Sequence, residues 1–277
     1  MDAAEKVFRF YERWRGEKSI CGRSVFGIPL LCLRVGEGRP VLLAQYAIHA
    51  REWVTSLLAL EHIMRGVPHG SVYFLPMANP DGVLLSLRGT RFLRERSADE
   101  AETLLRLNGG SSDFTLWKAN GRGVDLNVNF QADWGCGAAN VRRPGPENYI
   151  GPAPFSEPET RALRDLTLAL LPDATISFHT KGGEIYWEYG QEDEALRRDR
   201  AAAEKLAASA GYKAVQIAGS AGGYKDWCIA ARKIPAFTVE AGSDALSHPI
   251  GEDCLFSLVH ECGDMVRLLS EIMYHAG

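Results

Sequence analysis

The sequence predicts an α/β fold: a single-domain three-layer sandwich, with a mixed, mostly parallel twisted sheet carrying helices on both faces. Three observations lead there. Apolar, β-branched runs alternate with segments whose apolar residues recur at helical spacing, which is the signature of strands joined through helices. No Pro-, Gly- or Ser-rich linker divides the 277 residues, so one domain over 1–277 is expected. With 46% hydrophobic and 24% charged residues, the chain can bury a large core. In order, a helical pattern over 3–15 precedes strands at 30–35 and 41–48, a helix at 55–65 and a strand at 71–77. Asn108-Gly-Gly-Ser-Ser-Asp113 reads as a loop, and a helix at 157–170 leads to strands at 175–178 and 184–189. A helix at 194–210, strands at 213–217 and 236–240, and a last helix at 255–275 complete the chain. In such sheets the carboxyl ends of the strands form the ligand crevice.

Charge and composition exclude several classes. The formal charge is −4 and no basic tract stands out; the short cluster from Arg88 to Arg96 is interleaved with Phe92 and Leu93, so it reads as a solvated or substrate-facing loop and no nucleic acid is expected. No apolar run approaches the ~18 residues that span a bilayer, and Met1-Asp-Ala-Ala-Glu-Lys6 is not a signal peptide. A cytoplasmic location is therefore expected, with export of a longer precursor left open. Cys21, Cys32, Cys136, Cys228, Cys254 and Cys262 show no paired-motif spacing and read as reduced thiols rather than disulfides. Nothing points to an obligate protein partner.

His49-Ala-Arg-Glu52-Trp53 follows the apolar run Val41 to Ile48. A histidine and a carboxylate three residues apart, where a buried strand meets a helix, can turn toward one metal ion; the plainer reading is a helix start with Glu52 near the dipole. His179, at the end of another β-branched and aromatic run, supplies a third donor, although a lone strand histidine is more often a satisfied core residue. Two imidazoles and one carboxylate leave a coordination position open on a single zinc ion, the mark of a catalytic rather than a structural site.

With these residues go Asn79-Pro-Asp-Gly82, Gly123-Val-Asp-Leu-Asn127-Val-Asn-Phe130, Gly151 to Thr160, Gly222-Gly-Tyr-Lys-Asp-Trp227 and Phe237-Thr-Val-Glu240. In order and spacing the set resembles the zinc carboxypeptidases of the carboxypeptidase A type, the M14 metallopeptidases, over roughly residues 22 to 270. The resemblance implies a carboxypeptidase-like fold, one zinc on His49, Glu52 and His179, and Glu240 as general base at a strand end. It implies that Asp125 accepts the remaining ring N–H of the first histidine, and that Arg51 and Asn127 bind substrate.

Three positions depart from the family pattern. Lys118 stands where most relatives place the arginine that stabilises the oxyanion; lysine brings charge without a planar fork, Arg122 is a rival, and a plain solvated lysine is the alternative. Val128 stands where the family has the arginine that grips a C-terminal carboxylate, which valine cannot do. Lys225 aligns with the base of the specificity pocket, where a lysine would select an acidic group unless it is a snorkelling surface side chain. The mobile tyrosine of the family is Ala218 here, for which Tyr224 or Tyr212 could substitute.

These departures, and the phrase Trp117-Lys-Ala-Asn-Gly-Arg-Gly-Val-Asp-Leu-Asn-Val-Asn-Phe130, resemble a bacterial branch that cleaves the γ-D-glutamyl–meso-diaminopimelate bond of cell-wall peptides. A peptide or muropeptide substrate is therefore expected. An ordinary metallocarboxypeptidase removing C-terminal residues, and a non-catalytic zinc and peptide-binding homologue, are the alternatives.

Overall fold

The buried aliphatic runs at 30–35, 41–46, 71–75, 174–178 and 236–239 become strands. In the computed structural model, which describes residues 1–276, eight strands form one sheet: β1 (Lys18–Arg23), β2 (Pro29–Gly36), β3 (Val41–Tyr46), β4 (Ser71–Leu75), β5 (Ala174–His179), β6 (Glu184–Tyr186), β7 (Lys213–Val215) and β8 (Ala236–Glu240). Their order is β1-β2-β4-β3-β5-β8-β6-β7. The centre, β4-β3-β5-β8, is parallel, as is β6-β7; β1-β2, β2-β4 and β6-β8 are antiparallel.

Side-chain alternation along β3 makes two cores. Leu42, Ala44 and Tyr46 join one apolar cluster, while Leu43 joins the other. Ten helices cover the faces and the carboxyl-end rim: α1 (Ala3–Arg13), α2 (Val54–Arg65), α3 (Pro80–Arg88), α4 (Thr90–Leu93), α5 (Ala98–Leu107), α6 (Pro158–Leu170), α7 (Asp193–Ala210), α8 (Tyr224–Arg232), α9 (Leu255–Cys262) and α10 (Met265–Ala276). The first core is closed by α2, α7, α9 and α10, the second by α6 and α8, and a third cluster gathers α3 and α4 around Phe114 and Trp117. The three-layer expectation holds.

Where sequence and structure differ, the causes are local. β1 is a polar edge strand paired on one side, so it has no buried run to announce it. α5 opens on a Ser97/Glu100 capping box, a signal present in the sequence but lying in a charged stretch. α3 and α8 grow out of the Asn79-Pro-Asp-Gly82 and Gly222–Trp227 blocks. The last helix breaks at Gly263–Asp264, where Arg65 packs in, its Nη1 3.0 Å from Asp264. All six cysteines are free, and burial pushes the thiols of Cys21, Cys32, Cys228 and Cys262 up to about 12. No described helix is long and apolar enough to cross a membrane.

Two buried carboxylates anchor the turn between β1 and β2. Asp81 accepts from Ser24 Oγ and from Phe26 N at 2.9 Å, and Glu159 accepts from Val25 N at 3.0 Å. Burial lifts Asp81 to about 6, and burial with the charge of Asp81 lifts Glu159 to about 7. Both values exceed those of the unfolded chain, so between about pH 4 and 7 the native state binds more protons and stability falls as pH rises. Urea midpoints of the wild type should drop from pH 5 to pH 8 more steeply than those of Glu159→Gln. The difference between the two curves should be on the order of 3 kcal/mol; parallel curves would show that the pair does not titrate in this range.

Candidate metal centre and active site

The parallel centre of the sheet decides what meets at its edge. β3 pairs with β5 in the register Tyr46↔Phe178, and β5 with β8 in the register His179↔Glu240, so the three strands end together. Beyond β3 the chain turns at Ala47, which has φ +48°, and runs through His49 into a single 3-10 turn, Ala50–Glu52, that feeds α2. Asn79 pins this turn from outside: its Nδ2 donates to Ile48 O and Ala119 O, both at 3.1 Å, and its Oδ1 accepts from Gly82 N. Gly82 must be glycine, because a Cβ would lie 2.4 Å from Ala119 O and 2.8 Å from Ala50 Cβ. The Asn79-Pro-Asp-Gly82 block thus holds the His49–Glu52 turn in place.

The three expected ligands converge. His49 Nδ1 lies 2.9 Å from Glu52 Oε1 and 3.0 Å from His179 Nδ1, and His179 Nδ1 lies 3.0 Å from Glu52 Oε2. The two imidazole nitrogens and the two oxygens of Glu52 thus meet at about 3 Å, a cluster that suits one ion ~2.0–2.2 Å from its ligands, the zinc–nitrogen and zinc–oxygen range. Burial opposes the charge of Glu52, yet the two imidazoles hold its carboxyl well below the usual range.

Asp125 stands behind His49. Its Oδ1 is 3.3 Å from His49 Nε2 and accepts from Asn127 N at 3.0 Å; its Oδ2 is 2.8 Å from Lys118 Nζ and 3.2 Å from Asn148 N. Full burial works against this charge, but Lys118 and His49 keep the carboxyl well below the carboxylate range. Lys118 is half-buried, which disfavours its charge, and Asp125 holds it above the ordinary value. Lys118 Nζ donates as well to Asn148 Oδ1 at 3.2 Å.

Glu240 ends β8 beside His179, partly accessible, with Gly182 packed against its Cβ. Burial, helped by the charge of Glu52 and opposed by His179 and Lys118, lifts its carboxyl to about 7. A carboxylate so placed is poised to take and return a proton near neutral pH.

A concavity of about 360 Å³ opens from His49 and Lys118 toward Asn127, Val128, Asn140, Asn148 and the 217–221 segment, including Ala218. Asn127 Oδ1 is used by Tyr224 N at 3.2 Å, so its amide N–H groups are what it can offer a substrate. Arg51, within the ligand turn, has its Nη1 3.2 Å from Glu147 Oε2.

Four expectations fail on geometry. Lys225 is 5% exposed, and its Nζ donates to Asp226 Oδ1 at 2.6 Å and Glu188 O at 2.9 Å; it is not a free cation at a pocket base. Its captor Asp226 also accepts from Gly223 N at the start of α8, so the pair is built into the helix start. Tyr224 is fully buried, with its hydroxyl 2.8 Å from Thr167 Oγ1. Tyr212 is fixed by Glu261 and by Gly242 N, at 2.7 Å from the latter. Neither can replace the mobile tyrosine. Arg122 is 57% exposed, faces Glu157 at 3.7 Å and lines a different concavity with Val25 and Phe26, so it does not serve the metal site.

Sequence reasoning missed Asn148, which braces Lys118 and Asp125, and the residues Thr180, Lys181 and His248 near the ligands. Position two after His179 was a usable signal for Lys181, whereas nothing local marked His248 or Asn148.

The pattern that defines the zinc carboxypeptidases matches residues 15–249. Gamma-D-glutamyl-L-diamino acid endopeptidase 1 of Lysinibacillus sphaericus is 37% identical over 252 residues, taking in 83% of this chain. The chain spans 62% of that relative's length. Among solved structures, bovine thrombin-activatable fibrinolysis inhibitor in complex with tick carboxypeptidase inhibitor superposes with a TM-score of 0.79 at 21% identity, covering 99% of this chain and 95% of that one. Murein-tripeptide amidase MpaA from Escherichia coli O157 superposes at 0.62 with 22% identity, covering 96% of each chain. These two likenesses show the shared fold. The matched length, the ordered sheet edge and the His–Glu–His triangle agree: the chain belongs to the zinc carboxypeptidase family.

Proposed function

We propose that this chain is a zinc peptidase that hydrolyses the amide bond between γ-D-glutamate and meso-diaminopimelate in cell-wall peptides. The observation that carries the hydrolase reading is the juxtaposition of Glu240, on its neighbouring strand, with the His49–Glu52–His179 triangle. The substrate reading is supported by the relative from Lysinibacillus sphaericus, which is named for a γ-D-glutamyl–diamino acid bond. The concavity has no arginine at Val128 and its Lys118 is matched by Asp125, so nothing in it singles out the terminal carboxylate of an ordinary peptide.

A zinc ion on His49, Glu52 and His179 would supply water activation and carbonyl polarisation. Glu240 accepts the proton of the attacking water and passes it to the leaving amine as the carbon–nitrogen bond breaks. Lys118 sits close enough to the triangle to stabilise negative charge on the attacked oxygen with its remaining N–H, while Asp125 fixes the His49 ring so that Nδ1 faces the ion. The neutral amides of Asn127 and Asn148 orient the leaving portion in the concavity.

Steady-state hydrolysis of L-Ala-γ-D-Glu-meso-diaminopimelate should vanish with a chelator and return with zinc. In Glu240→Gln kcat should fall about 10²–10⁴-fold with zinc content unchanged. The rate should rise with pH along an acid limb no higher than about pH 7, since Glu240 must be ionised to act and a nearby cation favours its charged form. That limb should disappear in the variant. Wild type and variant equally inert on wall peptides while binding zinc would leave the non-catalytic alternative. Asp125→Asn should weaken zinc binding about 10–100-fold, read as the chelator concentration that strips the metal.

A further inference from the structure

We infer that Arg51, Thr180, Lys181 and His248 form a second recognition site, on the acyl side of the scissile bond, for the free α-carboxylate of a residue linked through its γ-carboxyl. This rests on the cell-wall reading above. The four residues come from the loops after β3, β5 and β8, which the parallel strands deliver to one edge of the sheet. The last two loops are tied together: Gly182 N donates to Gly242 O at 2.9 Å, and Lys181 Nζ lies 2.7 Å from Asp244 Oδ1. None of the four lines the concavity that holds Asn127 and Val128.

Three polar atoms here are buried without a hydrogen-bond partner: Arg51 Nε, Thr180 Oγ1 and His248 Nδ1. Thr180 is 3% exposed. A buried donor left unmade costs ~1–3 kcal/mol, so three of them beside the metal ligands point to an acceptor that a ligand supplies. Each can donate, and a carboxylate is acceptor-only. His248 is half-buried and lies in the fields of Glu52, Arg51 and Lys181; burial and the two cations favour the neutral ring, whose N–H suits an anion already faced by Arg51 and Lys181.

The counter-charges of these cations are exchangeable. Glu147, facing Arg51, has a side chain 47% exposed, and Asp244, facing Lys181, one 86% exposed. Such surface pairs are worth ~0–1 kcal/mol, so a substrate carboxylate can displace them. In a γ-linked glutamyl residue the carbon beside the reacting carbonyl is a methylene, and the α-carboxylate lies three carbons from that carbonyl. A neutral α-linked residue presents no charge there.

The test compares full-length, zinc-loaded wild type, Lys181→Met and His248→Gln on L-Ala-γ-D-Glu-meso-diaminopimelate and on its analogue with that α-carboxyl amidated. Wild type should prefer the free acid by about tenfold or more in kcat/KM, chiefly through KM, as expected for charge-assisted hydrogen bonds. Both variants should shrink that ratio. A structural role would lower both rates together and keep the ratio, and a wild type indifferent to amidation would likewise overturn the inference while leaving the cell-wall reading intact. If neither substrate is cleaved, the cell-wall reading falls. Calorimetric binding of L-Ala-D-Glu and L-Ala-D-isoglutamine then decides the site separately, with equal affinities counting against it.

Discussion

The buried charge of Asp125 is the constraint on which the site depends. It lies fully out of water and is matched by Lys118 and His49, with N–H groups from Asn127 and Asn148 completing its shell. Removing one partner from a buried ion pair typically costs ~3–5 kcal/mol, so each of those four groups is held where it is. Three consequences follow from one carboxylate. The His49 ring is turned so that Nδ1 faces Glu52 and His179, Lys118 is kept charged although half-buried, and the 125–128 turn that carries Asn127 is bonded to its own first residue. The lysine in place of arginine thereby has a reason: a single ammonium reaches Asp125 and Asn148 at once without needing a planar fork.

Pairing also sorts the cations around the metal triangle. Lys225 is buried and Lys118 half-buried, each against a fully buried carboxylate, Asp226 and Asp125, and neither can leave its partner cheaply. Arg51 and Lys181 face carboxylates in contact with solvent. An incoming anion therefore competes weakly for the inner pairs and effectively for the outer ones. Any charge recognition by an exchangeable cation is left to the outer pairs.

Much of this was legible in the sequence because it depends on strand ends. A parallel sheet brings its carboxyl ends together whatever the loops do, so His49, His179 and Glu240 could be placed from the positions of three apolar runs, and the His-x-x-Glu spacing placed Glu52. What could not be read was partner choice. Lys225 looked like a pocket cation because alignment gives a position but not the fate of a charge, and the carboxylate that captures it, Asp226, is its immediate neighbour. Tyr224 was a candidate to replace the tyrosine missing at Ala218, yet its backbone N–H is held by Asn127 and its hydroxyl by Thr167 across the second core. His248 lies far along the chain in a loop, and nothing in its surroundings signals that its Nδ1 is left unpartnered.

Val128 shows how the fold survives the loss of the family's arginine. The backbone there is pressed against Gly222, whose φ is +79° and whose added Cβ would lie 2.7 Å from Val128 O. Phe130 N donates to Gly222 O at 2.9 Å, so at this point the two blocks lock through main chain and not through the side chain of Val128. Substituting the side chain at 128 therefore changes the chemistry of the concavity without disturbing its wall. Apart from His49 and Lys118, the latter matched by Asp125, what remains along it is neutral: Asn127, Asn140 with a buried, unpartnered Nδ2, and Asn148, among alanines and Ile217. Amides discriminate by hydrogen-bond geometry, and they hold a carboxylate less tightly than a guanidinium does. A substrate recognised in this way draws less of its binding from the leaving portion than the family's arginine would give it.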